Sequence, residues 1–70
     1  MTILFEYDKD VDAAYIYIKH PIKEGEAKKT IALNDNIILD FDKNDKLIGV
    51  ELLNASQVLN KRVLAEAKVA

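Results

Sequence analysis

The 70-residue chain has no cysteine, a single histidine, a single proline and two glycines. Without cysteine there is no disulfide to staple a small fold and no thiol to serve as nucleophile or metal ligand. His20 stands alone, with no second histidine or cysteine at ligand spacing, so it is expected to be solvated. No long apolar run occurs either. The first one, Met1-Thr2-Ile3-Leu4-Phe5, meets Glu6 too early for a signal peptide or a membrane span, which makes the cytoplasm the expected compartment. Charge of one sign is also lacking. Ten basic against twelve acidic residues leave a net charge of −2, too balanced to announce a nucleic acid or an anionic membrane as partner.

What is present is half hydrophobic and about a third charged, the make-up of a folded domain rather than a disordered tail. Residues 1–70 make a single domain, and a chain this short buries only about 60% of the surface its unfolded form exposes. Such domains usually add a disulfide, a metal or a second copy of themselves. With the first closed, metal or oligomer remains.

Five strand signals run along the chain at about residues 2–7, 13–19, 28–33, 37–42 and 47–53, each bounded by Asp, Asn, Gly or Pro. In the last hairpin, a loop over Lys43-Asn44-Asp45-Lys46 sets Phe41 opposite Ile48, Leu39 opposite Val50 and Ile37 opposite Leu52. A loop over Asn34-Asp35-Asn36 likewise sets Leu33 opposite Ile37 and Ile31 opposite Leu39. In the first hairpin, a loop from Asp8 to Asp12 sets Phe5 against Tyr15 and Ile3 against Tyr17, although the apolar pattern leaves a register one residue away open. Pro21 stops the second strand near Lys19, leaving His20 to Glu26 as a linking loop.

From Asn54 the period becomes helical. Asn54 and Gln57 have capping-box spacing, and Ala55, Val58, Leu59 and Val63 form one stripe of a helix over about 55–68. Arg62 and Glu66 interrupt that stripe, so the later half of the helix is expected to leave the sheet. The expected architecture is therefore α+β, a five-stranded antiparallel β-meander with one C-terminal helix packed on the sheet.

Few residues suggest chemistry. Asp8, Asp10 and Asp12 have the spacing that opens a calcium loop, but Ala13 stands where that loop needs glycine and Lys19 where it needs glutamate. Asp8 and Asp12 are better read as turn residues bonding local backbone, so no metal and no cofactor is expected. In the stated register Asp40 lies across from Gly49, on the face that also carries Glu51 and Asp42. Paired carboxylates beside a gap suit acid–base work, yet the alternation also describes any half-solvated sheet face, and no second catalytic residue type accompanies them. No catalytic residue is assigned. Asp40, Gly49 and Glu51 at a dimer seam stay as an alternative ligand or enzymatic site. Tyr7, Tyr15 and Tyr17 could stack bases, but their neighbours are aspartates, which argues against nucleic acid.

The blocks Tyr7-Asp8, Asp12-Ala13-Ala14-Tyr15-Ile16-Tyr17-Ile18, Ile37-Ile38-Leu39-Asp40-Phe41-Asp42 and Ile48-Gly49-Val50-Glu51-Leu52-Leu53-Asn54-Ala55-Ser56 together resemble the small prokaryotic family named domain of unknown function 2283. The resemblance spans about residues 5–60. It places Tyr7, Asp8, Asp12, Ala13, Tyr15, Asp40, Gly49, Glu51 and Ser56 at motif positions, to which the family attaches no established role. It also implies an antitoxin-like setting, since members are often encoded beside a small toxin-like protein. This chain departs from the pattern at Asn54, commonly Asp, and in the glycine-free turn Asn44-Asp45-Lys46.

The favoured function is a non-enzymatic protein-interaction module, a homodimer or the partner of a neighbouring gene's product. One helix cannot cover both faces of the Ala13–Lys19 strand, so Tyr15, Ile16, Tyr17 and Ile18 are the interface candidates, with Leu59, Val63 and Leu64 as a second contact.

Overall fold

The computed structural model describes residues 3–69. It is an α+β fold with one six-stranded sheet: β1 (Leu4–Asp8), β2 (Ala13–Tyr17), β3 (Lys29–Ala32), β4 (Ile37–Phe41), β5 (Leu47–Leu53) and β6 (Lys68–Val69). Two short helices, α1 (Ala55–Val58) and α2 (Lys61–Ala65), lie between β5 and β6. The spatial order is β3-β4-β5-β2-β1-β6, antiparallel except where β6 runs parallel to β1. Meander connections thus hold for β3–β4–β5 and for the β1–β2 hairpin, while β2 docks on β5 rather than on β3. Thr2, where the first strand was expected to begin, lies outside the described residues.

Two expected registers are found. Ile37 pairs with Leu52, Leu39 with Val50 and Ile31 with Leu39, and Leu33 N–H bonds the Ile37 carbonyl at 2.8 Å. The expected pairing fails at Phe41, which faces Leu47 rather than Ile48 because the ladder shifts between Asp40 and Phe41. The turn beyond explains the shift. The Asp42 carboxylate accepts from the N–H groups of Asn44 at 2.8 Å and Lys46 at 3.0 Å, and Asp45 supplies the left-handed residue, φ 59°, that glycine would otherwise provide.

The first hairpin is one residue out from expectation. Leu4 pairs with Tyr17, Phe5 with Ile16 and Tyr7 with Ala14, so the turn contains four residues, Lys9 to Asp12, with Asp12 at φ 53°. Burial decides this. With strict alternation, the observed register puts Phe5 and Tyr7 on the same face as Ala14, Ile16, Val50 and Leu52, whereas the expected one would have put Phe5 beside Tyr15 on the other face.

The single long helix is also corrected to two short ones and a strand. Leu59 is extended, at φ −104° and ψ 144°, and Asn60 restarts the helix by accepting the Arg62 N–H at 2.8 Å. Ala14, Leu52 and Ala55 form the buried centre, packed by Phe5, Tyr7, Ile16, Ile37, Val50, Val58, Leu59 and Leu64. The core is slight. Among the described residues four hydrophobic ones are buried, Ile48 being the fourth, and no large side chain is fully enclosed.

Candidate functional site

Asp12 joins the β1–β2 turn to α1. Its backbone carbonyl accepts from Ala55 N–H at 2.9 Å, and its carboxylate accepts from Ser56 N–H at 3.0 Å, Ser56 Oγ at 2.7 Å and Tyr7 Oη at 2.7 Å. The Tyr7 hydroxyl and then Ser56 hold the Asp12 carboxyl below its ordinary range. The same bond holds the Tyr7 hydroxyl above its own. Asp12 is therefore the N-terminal cap of α1, delivered from a turn 44 residues earlier. This corrects two expectations. Asp12 does not bond its own turn backbone through its side chain, and Asn54, in the left-handed conformation, makes no side-chain cap, its amide donating instead to Asn36 Oδ1 at 3.1 Å. Asp8 does act locally, accepting the Asp10 N–H at 3.0 Å.

On the sheet face away from the helices, Asp40 and Gly49 are direct partners, as expected, with Glu51 opposite both Ile38 and Tyr15. The gap that glycine was expected to leave is filled. The Tyr15 ring lies across Gly49 so closely that a Cβ built there would overlap Tyr15 Oη and come within 2.6 Å of Cζ. Tyr15 Oη donates to Asp40 Oδ2 at 2.5 Å, and Thr30 Oγ1 donates to Asp40 Oδ1 at 2.8 Å. Burial, and then the Asp40 bond, push the Tyr15 hydroxyl well above the tyrosine range, so it stays protonated. Both Asp40 oxygens are thus engaged within the chain. The ladder continues through Tyr17, whose ring centroid is 4.6 Å from that of Tyr15, to His20 at 5.4 Å. Burial, followed by the Glu6 charge, raises the Tyr17 hydroxyl too. This row cross-ties β3, β4, β5 and β2. Among the described residues no three His, Asp or Glu side chains gather at metal-binding distance.

The interface candidates separate into groups. Tyr15 and Tyr17 belong to this ladder, Ile16, Leu59 and Leu64 pack on the chain's own core, and Ile18 is half-buried beyond the end of β2. Val63 is exposed. The larger open surface is elsewhere. Ile31 and Leu33 share the helix-side face with Ile37 and Leu39, yet they are 41% and 64% exposed because α1 and α2 sit over β1, β2 and β5. The expected registers place Ile31 and Leu33 on the apolar face, but the sheet order leaves β3 at an edge, with β4 and β5 between it and β2. Thr30 was missed as well, though its place opposite Asp40 follows from the same pairing.

The model of the family described as Protein of unknown function (DUF2283) matches residues 4–56. An uncharacterized protein of Methanocaldococcus jannaschii is 41% identical over 61 residues, covering 86% of this chain and 47% of that protein. The chain thus spans about half the length of the curated relative it matches. No solved structure matches the chain. Among the described residues no helix is long and apolar enough to cross a membrane.

Proposed function

The chain belongs to the family Protein of unknown function (DUF2283), and from that footing we propose that it is a non-catalytic protein-interaction module that pairs with a second copy through the open apolar end of its sheet. The supporting observation is surface area. A folded monomer of 7.9 kDa is expected to expose about 4,400 Å², whereas this one exposes 5165 Å². The excess, roughly 750 Å², is close to the ~800 Å² that each partner contributes to a standard interface. Its chemistry suits the role, since Ile31 and Leu33 on β3 continue the apolar face of Ile37 and Leu39 without a covering helix.

Light scattering on the eluting protein tests this. The expected mass is twice 7.9 kDa, falling to one copy for Leu33→Lys, which changes a side chain already 64% exposed and so leaves the fold intact. A monomer at concentrations near 100 µM, with Leu33→Lys behaving identically, would refute the pairing. We further propose that the module serves a small protein encoded beside it, as the antitoxin-like resemblance implies. Co-expression with the neighbouring gene's product should recover a stable complex, and recovery of the folded module alone counts against it.

A further inference from the structure

At the opposite edge of the sheet, β1, β6 and α2 enclose a groove of about 770 Å³ that is open to solvent along one side. Tyr7, Leu64 and Val69 provide apolar surface, and Lys9, Lys61 and Lys68 supply the charge. Because the Tyr7 hydroxyl is given to Asp12, this residue offers the groove its ring rather than a free donor. Among the described residues no acidic side chain lines the groove, in a chain whose net charge is −2. Asp8 and Asp10 stand at one end only, beside Lys9 and Val69 in a smaller depression of about 250 Å³.

Apolar walls with three ammonium groups and no carboxylate select a ligand that is greasy on one side and negative on the other. We propose that this groove docks an acidic amphipathic segment of a protein partner. Apolar side chains of the segment lie against Tyr7, Leu64 and Val69, and its carboxylates meet Lys61 and Lys68. Asp8 and Asp10 repel acid from their end, so the segment sits with its negative residues toward α2. An open trough suits a polypeptide laid along it, whereas a small molecule is usually enclosed over most of its surface. The site is separate from the β3–β4 face and does not depend on the dimer.

The test is a titration of backbone amide resonances with a synthetic peptide of about 14 residues, leucine at helical i, i+3, i+4, i+7 spacing and glutamate elsewhere. Saturable shifts are expected at Lys9, Leu64 and Val69, with affinity falling as salt is raised. Lys61→Glu with Lys68→Glu should weaken binding by about tenfold, these being exposed rim charges, while resonances remote from the groove keep their positions. Leu33→Lys should bind the peptide like the parent protein, which separates this site from the dimer face. Absence of saturable shifts, equal affinity for the peptide with lysine in place of glutamate, or displacement of the peptide by equimolar sodium laurate would overturn the proposal. So would a fall from dimer to monomer in the Lys61→Glu, Lys68→Glu variant, since the occupant would then be a second copy.

Discussion

Adding one methyl group at Gly49 challenges the tyrosine ladder directly. The new Cβ would overlap Tyr15 Oη and stand 2.6 and 2.8 Å from its Cζ and Cε1, so the ring must swing away and give up its bond to Asp40. A hydrogen bond to a charged group contributes about 1.5–3 kcal/mol. Against that, alanine in a strand interior is favoured over glycine by about 0.5–1 kcal/mol. Gly49→Ala should therefore destabilise by about 1–2 kcal/mol, a fall in melting temperature on the order of 10 °C for a domain of this size. Urea unfolding followed by circular dichroism measures it. The decisive step is to repeat Gly49→Ala in a Tyr15→Thr background, where no ring crosses the strand and the methyl group should turn stabilising by about 0.5–1 kcal/mol. An equal cost in both backgrounds would refute the claim that Tyr15 is what demands glycine here.

Asn60→Ala removes the acceptor that starts α2 and should lower stability by about 1 kcal/mol, read from the urea midpoint at unchanged slope. Leu52→Ala, at a residue 3% exposed in the centre of the core, should cost about 2–5 kcal/mol and leave little cooperative unfolding transition in the calorimeter. The Asp12 carboxyl is held below its ordinary 3.8 in the folded state, so its contribution is complete above that value and disappears as pH falls through the lower folded value. Asp12→Asn should accordingly be less stable at neutral pH and show a flatter acid limb in a pH series of urea midpoints. The Tyr15 hydroxyl is raised above 10.0 by burial and by Asp40, so its contribution is present below pH 10 and is lost as pH climbs through the folded value. Tyr15→Phe should flatten the alkaline limb of the same series.

Strand positions and two of three hairpin registers were legible because they rest on alternation, which Ile37, Leu39, Val50 and Leu52 display without ambiguity. The first hairpin was not, because Leu4-Phe5 and Tyr15-Ile16-Tyr17 are apolar at consecutive positions, and either register buries something. Only the arrival of β5 on β2 selects the face that takes Phe5. The break at Leu59-Asn60 has a local signal, an asparagine able to cap followed by Arg62 in the supposed stripe, but the capping-box spacing falls at Asn54, whose side chain caps nothing. The true cap of α1 carried no local trace, since Asp12 and Ser56 meet only through the assembled sheet. At the candidate site, opposition of Asp40 and Gly49 was readable from register. The occupant of the space above Gly49 was not, because β2 reaches it from a strand whose neighbour could not be inferred from sequence spacing.

The Asp12–Ser56 tie also governs the order in which the molecule can be completed during synthesis. The β1–β2 hairpin leaves the ribosome before α1, yet its turn carboxylate has no backbone N–H of α1 to accept from until Ser56, 44 positions later, has been added. Closing so long a span is entropically slow compared with making a local turn. A nascent chain halted before Ser56 therefore has no capped first helix, and its turn carboxylate lacks both of the Ser56 donors. Any product truncated there should be cleared as unfolded polypeptide rather than persist as a smaller sheet.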